Sequence, residues 1–318
     1  MLLMFGTTRA TIKNYAHCKR KYYVKARIAA VQYMLRHIND WDAFENQVRL
    51  TIEAAAKEKP NFVLLPENFT NQLLCFIDAG NDIRAAVRRL HDFTPRYIGL
   101  MAEMAKKYQF YLIAGSHLNL REGLLYNSAF LFSPQGEMFM QDKIHRTRME
   151  REKWDTTGGD KLHLFQTDYG AVAILICYDI EFPELARQVC EAGADIIFVP
   201  SFTGDRQGYL RVRYCAQART VENQVYVAMT GTVGSLPVEG LGTHYGQASI
   251  MTPSDLIFPR DGIAAEGVAN SEQVVVADVD LDRLAQNRLN GSTIPLRDKR
   301  PEVYRNPVEI VSALSGSH

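Results

Sequence analysis

The five cysteines of this sequence form no Cys-x-x-Cys pair; they stand apart at positions 18, 75, 177, 190 and 215. An odd, scattered set spells neither a disulfide framework nor a zinc site, and it suits a reducing compartment. His117, His145, His163 and His244 lack zinc-type pairing as well, so no metal is expected. No apolar stretch approaches the length of a membrane span, and the N-terminus has no secretory core or cleavage site. The glycines of GTVGSLPVEGLG, Gly231 to Gly242, follow neither the dinucleotide fingerprint nor the Walker spacing. No phosphate loop is therefore expected, and the protein reads as cytoplasmic.

The formal net charge is zero, and that balance hides an asymmetry. Seven of the 36 basic residues, from Arg9 to Arg27, fall in the first 27 positions, where there is no acid. The remainder is acidic by seven and shows no basic stripe, which argues against a nucleic-acid enzyme. The arm is either a solvated extension or an organelle-targeting segment, though its scarcity of serine weakens the latter. With 318 residues, 47% of them apolar, and no low-complexity linker, a single domain is expected over 27–304. A basic extension at 1–26 would precede it and a tail at 305–318 follow.

The stretch that organises the chain is Ala171 to Glu184, AVAILICYDIEFPE. A short apolar run bounded by a turn reads as a buried strand, and Pro183 suits the first turn of a following helix. Cys177 then sits where a strand hands over to a helix N-terminus, a place that favours a thiolate and a developing oxyanion. The alternative is a buried small hydrophobe, since free cysteine is often buried.

Other strands are expected at Arg27–Tyr33, Asn61–Leu65, Phe110–Ser116, Leu124–Phe132 and Glu137–His145. Further strands follow at Leu162–Gln166, Asp195–Ser201, Val225–Val233, Ala248–Met251 and Gln273–Asp280. Helices intervene: one capped near Asp40, one over Ile83–Tyr108 interrupted near Pro95, one around Tyr209–Asn223, and a short one from Leu281. This alternation predicts an α/β protein with mixed sheets. Its duplicated look predicts two sheets packed face to face, a four-layer αββα sandwich.

Three polar residues lie at the carboxyl ends of strands: Glu67 after NFVLLP, Lys143 in FMQDKIH and Cys177 after AVAILI. A carboxylate, an ammonium and a thiol suffice for acyl transfer from nitrogen. Taken singly, such a Glu or Lys is more often a solvated surface charge.

The pieces LLPE (Leu64 to Glu67), DKIH (Asp142 to His145) and CYDIEFPE (Cys177 to Glu184), in that order, resemble the nitrilase superfamily of carbon-nitrogen hydrolases. YNSAFLFSPQGE (Tyr126 to Glu137), Gly158-Gly159-Asp160 and RTVENQVYV (Arg219 to Val227) carry the likeness further. It resembles in particular a branch of predicted amidohydrolases, some fused to an N-terminal acetyltransferase; only some 26 residues precede the first strand here.

The resemblance implies roles. Glu67 would be the general base, Cys177 the nucleophile, and Lys143 with the Tyr178 backbone N–H the oxyanion's holders. Many relatives add a second glutamate; its spacing to Gly159 favours Glu152 over Glu150. Tyr178-Asp179 resembles the amidase and carbamoylase side rather than the nitrilases. Tyr126, Glu181, Phe182, Ser201, Phe202 and Thr203 are expected near the substrate by position. Glu181 stands where a common pattern has arginine, so it either selects a cationic substrate group or pairs with Arg187 or another surface cation. Arg219, Glu222 and Asn223 are expected to hold a helix by hydrogen bonds. The function the resemblance implies is hydrolysis of a small amide through a thioester, with no cofactor, and a nitrilase or a catalytically silent scaffold stands as the alternative. A homodimer or larger homo-oligomer is implied.

Overall fold

In the computed structural model, which describes residues 24–78, 82–238, 240–308 and 310, strands and helices alternate along the chain. β1 (Lys25–Leu35) leads through α1 (Trp41–Ala56) to β2 (Phe62–Leu64). α2 (Ile83–Arg89), a 3-10 turn and α3 (Thr94–Tyr108) return the chain to β3 (Tyr111–Arg121). β4 (Leu124–Phe132), β5 (Met138–Asp142) and the short β6 (Thr156–Thr157) follow. Then come β7 (Phe165–Thr167), β8 (Gly170–Ile174), α4 (Pro183–Glu191), β9 (Ile196–Ser201), α5 (Arg206–Asn223) and β10 (Tyr226–Ser235). β11 (Thr243–His244), β12 (Ser249–Met251), β13 (Ile263–Glu266), β14 (Gln273–Asp280) and α6 (Leu281–Asn290) follow, and two short helices, α7 (Pro295–Asp298) and α8 (Pro301–Tyr304), complete the order. The basic arm as far as Tyr23 lies outside the described residues, and β1 begins two residues before the expected Arg27.

Local chemistry sets these boundaries. Asp40 caps α1 by accepting from Ala43 N, and Phe44, Val48 and Ile52 present the buried stripe that the four-residue spacing predicts. Pro95 lies in the first turn of α3, where a missing N–H costs nothing, so the helical interruption falls just before it. The strand leading to Cys177 ends early, at Ile174, and a 3-10 turn over Cys177–Glu181 is interposed before Pro183 opens α4.

The α/β alternation and the mixed sheet are as expected. The fourteen strands hydrogen-bond as one mixed sheet whose main path is β5-β4-β3-β2-β1-β10-β9-β8-β7. β1 makes the join: its first residues pair with β2 and β14, while Tyr33–Leu35 pair in parallel with Thr232–Gly234 of β10. The sheet curls on itself. Phe62 of β2 and Phe198 of β9, separated on that path by β1 and β10, bring their ring centroids within 5.2 Å. One apolar cluster fills the space between the facing halves, and another lies between β1–β4 and helices α1 and α3. Fully burying side chains of this size contributes roughly 1.5–3 kcal/mol each.

β2, β3, β8, β9 and β10 run parallel through β1, and β5 runs with β3 because two antiparallel pairings separate them. The carboxyl ends of β2, β5 and β8 therefore share one edge, where ligands collect in open α/β sheets. Among the described residues no helix is long and apolar enough to cross a membrane.

Candidate active site

Glu67 is placed by the backbone that follows β2. Leu65 N donates to Ile113 O at 2.8 Å, and Asn68 N donates to Ser116 O and Oγ, both at 3.1 Å. This presses Pro66 onto β3 so closely that a Cβ on Gly115, at φ +71°, would sit 2.1 Å from Pro66 O. Only glycine fits there.

Lys143 follows β5, its N–H donating to Asn127 O and its carbonyl accepting from Gly159 N, each at 2.8 Å. The next two residues are tied to the nucleophile's turn: Asp179 accepts from Ile144 N at 3.2 Å and from His145 N at 2.7 Å. The His145 ring stacks flat on Phe182. The DKIH and CYDIEFPE segments thus hold one another, which explains the pairing of these stretches in the sequence.

Cys177 opens the 3-10 turn at φ +48°, a left-handed conformation that costs a non-glycine residue on the order of 1–3 kcal/mol. Arg219 holds that turn from beneath, donating to Ile180 O at 3.1 Å and Glu181 O at 3.3 Å while paired with Glu222 at 2.9 Å.

These elements converge on a sealed polar centre. Lys143 Nζ lies 2.7 Å from Glu67 Oε1 and 2.9 Å from Glu150 Oε2. Thr147 supplies Glu150 Oε2 with two more donors, its N–H at 2.8 Å and its hydroxyl at 2.9 Å. Glu67, Lys143, Glu150 and Cys177 are all at most 5% exposed.

Burial pushes the Glu67 carboxyl above the usual carboxylate range, Glu150 adds to that rise, and Lys143 offsets part of it. Burial, and then the Glu67 charge, push the Cys177 thiol well above its ordinary value, so the proton stays on sulfur at rest. Burial also opposes the Lys143 ammonium, but Glu150 and Glu67 outweigh it and hold its pKa well above the usual lysine value. Glu150 is likewise opposed by burial, yet Lys143, Asn127 and Thr147 keep its carboxyl below the usual range. A thiol, a carboxyl electrostatically coupled to it and an ammonium, all buried together, can pass a proton and hold an oxyanion.

Two expected positions are corrected. Glu152 is half exposed and pairs with Arg148 at 2.8 Å; Glu150 is the residue on the lysine. Glu150–Trp154 form a wide π-type turn that buries its first and last side chains, and residues two apart on a helical turn face nearly opposite ways. Tyr126 is not in the centre either, because neighbours on a strand face opposite sides. Its ring lies under the Arg121 guanidinium at 4.1 Å, while Asn127 beside it reaches both glutamates. Asn127 went unnoticed although YNSAFLFSPQGE contains it; strand alternation against a correctly placed Glu67 was the available signal.

The remaining residues surround the centre unevenly. The Phe202 backbone lies near enough to the Cys177 sulfur to oppose the rise of its pKa, and the Phe202 ring packs 4.3 Å from His244. The hydroxyls of Ser201 and Thr203 are committed to Val199 O and Tyr245 O. Phe182 packs edge-on against Tyr178. Glu181 faces Arg211 at 3.9 Å, with side-chain exposures of 18% and 63%, whereas Arg187 donates instead to Glu222 O. Burial raises the Glu181 carboxyl, with Arg211 and then Lys143 opposing. A cavity of about 420 Å³ is lined by Met34, Asp205, His244, Tyr245 and Asn270 and by none of Glu67, Lys143 and Cys177. Among the described residues no group of three or more His, Cys, Asp or Glu side chains is arranged to hold a metal ion.

The carbon-nitrogen hydrolase family profile matches residues 27–288. A "Probable hydrolase YhcX" of Bacillus subtilis is 45% identical over 289 residues, covering 90% of this chain and 56% of its own length, so the chain spans about half of that relative. An "Omega-amidase NIT2" of Xenopus tropicalis is 26% identical over 87% of this chain and 95% of its own. The crystal structure of a carbon-nitrogen hydrolase from Helicobacter pylori G27 superposes with a TM-score of 0.74 at 22% identity, covering 89% of this chain and 97% of that one.

Proposed function

The chain belongs to the carbon-nitrogen hydrolases of the nitrilase superfamily, and from that premise we propose that it hydrolyses a small amide through a thioester on Cys177. The observation that carries this reading is the buried Glu67–Lys143–Glu150 arrangement meeting Cys177, and the naming of a full-length relative as an omega-amidase supports amide over nitrile.

Glu67 takes the thiol proton as Cys177 Sγ bonds to the amide carbon. The oxyanion meets Lys143 Nζ and the N–H of Tyr178, which stands in the first turn of a 3-10 segment, where N–H groups lack intrahelical partners. Collapse breaks the C–N bond, and Glu67 returns the proton to the departing nitrogen, leaving a thioester and free ammonia or amine. Water then attacks the thioester carbon while giving a proton to Glu67. Release of the acid restores the thiol. Glu150 keeps Lys143 cationic throughout.

For the substrate, Glu181 argues against a dicarboxylate monoamide. It lies four residues after the nucleophile on the same turn, is mostly buried, and among the described residues its side chain has only a distant arginine for an ion-pair partner. An amide bearing an amino or other cationic group would complete it. The same reading takes residues 27–304 as one catalytic unit and the sheet's curl as a four-layer sandwich, an arrangement supported by the facing Phe62 and Phe198.

The test is ammonia release from cationic, neutral and acidic amides, carbamoyl compounds and nitriles, with Cys177→Ala alongside. Release from amides that vanishes in Cys177→Ala, fastest with cationic amides, is expected. Preference for ω-amides of keto acids would refute the Glu181 assignment, nitrile turnover would move the reaction class, and release unaffected by Cys177→Ala would refute the mechanism.

A further inference from the structure

We infer that Asn127 is the positioning residue that sets which oxygen of Glu67 acts as the base and how readily it ionises. This rests on the reading of Glu67 as general base. Asn127 Nδ2 lies 2.8 Å from Glu67 Oε1 and 2.9 Å from Glu150 Oε1, so its two protons go one to each carboxylate. Facing two acceptors, the amide is oriented nitrogen-inward by chemistry alone. Glu67 Oε1 also accepts from Lys143 Nζ at 2.7 Å and is therefore filled by two donors. Oε2 is left as the oxygen free to receive the thiol proton.

The same residue fixes the lysine from the other side, since Asn127 O accepts from Lys143 N at 2.8 Å. One residue at 2% exposure, on a strand bonded to β3 on one side and β5 on the other, thus registers three of the four polar groups of the centre. An uncharged donor is what the place requires. A second cation would hold Glu67 ionised too firmly to accept a proton, and a third carboxylate would repel the two already present. The neutral amide supports both glutamates without changing the charge balance.

A hydrogen bond to a carboxylate favours its ionised form, so deleting the donor raises the pH at which Glu67 becomes a base. The experiment follows alkylation of Cys177 by iodoacetamide from pH 5 to 9, with the labelled residue identified by mass spectrometry and unfolding followed by heat. Wild type, Glu67→Gln, Asn127→Leu and Asn127→Ser are compared; serine is too short to reach either carboxylate and does not crowd the strand. In both Asn127 variants the low-pH limb is expected to move upward by about one unit, roughly tenfold in rate below the limb. A uniform slowing with no movement of the limb, an unchanged profile, or failure of both variants to fold would overturn the proposal. An unchanged profile in Glu67→Gln would instead overturn the reading of Glu67 as base, which separates the two.

Discussion

Glu150 and Glu152 differ by two positions and by almost everything physical. One is buried against an ammonium with two further donors from Thr147; the other lies in water beside Arg148, in an exposed pair of the kind worth little. Removing Glu150 leaves a buried lysine with half its compensation, and breaking such a pair costs about 3 kcal/mol or more. Glu150→Ala is therefore expected to lower ammonia release by about a hundredfold, while Glu152→Ala stays within about twofold. Equal losses from the two variants would contradict this placement. The sequence could not separate them by spacing, because distance to Gly159 counts residues along the chain and ignores which way a wide turn faces. Glu67, Lys143 and Cys177 could be picked out for the opposite reason: each lies at the carboxyl end of a strand, and such ends gather in space.

At the scale of elements, the turn Cys177–Glu181 shows why the nucleophile is exact in position. Asp179 ties it to the segment after Lys143, Arg219 fastens its carbonyls to α5, and Cys177 itself is held left-handed. That strain is separable from chemistry. Glycine adopts φ +48° freely and alanine does not, so Cys177→Gly is expected to be more stable than Cys177→Ala by about 1 kcal/mol, although both lack the thiol. Thermal unfolding of the two inactive variants decides it; a more stable alanine variant would show that the turn is not strained. The sequence located this handover to within a few residues but drew the strand straight to Cys177. Apolar character persists through Leu175 and Ile176 after the ladder has ended, so composition alone cannot mark the last paired residue.

Across the whole molecule, the helices and most strands follow from local periodicity, whereas the single curled sheet does not. Its join depends on Tyr33–Leu35 meeting Thr232–Gly234, a pairing between segments some two hundred residues apart that no local pattern encodes. Assembly with a second copy remains our proposal. Tyr214 and Val221 on α5 are 64% and 42% exposed, apolar area on a helix that also braces the nucleophile's turn. Light scattering after size exclusion is expected to give at least twice the chain mass, and a monomer at micromolar concentration would refute this.

The pairing of Lys25 with Asp280, reinforced by the bond from Val24 N to Asp282, puts the first and last strands of the sheet side by side. The strand that opens the sheet is thereby clasped by the strand that closes it, so neither can fray without breaking contacts made some two hundred and fifty residues away along the chain.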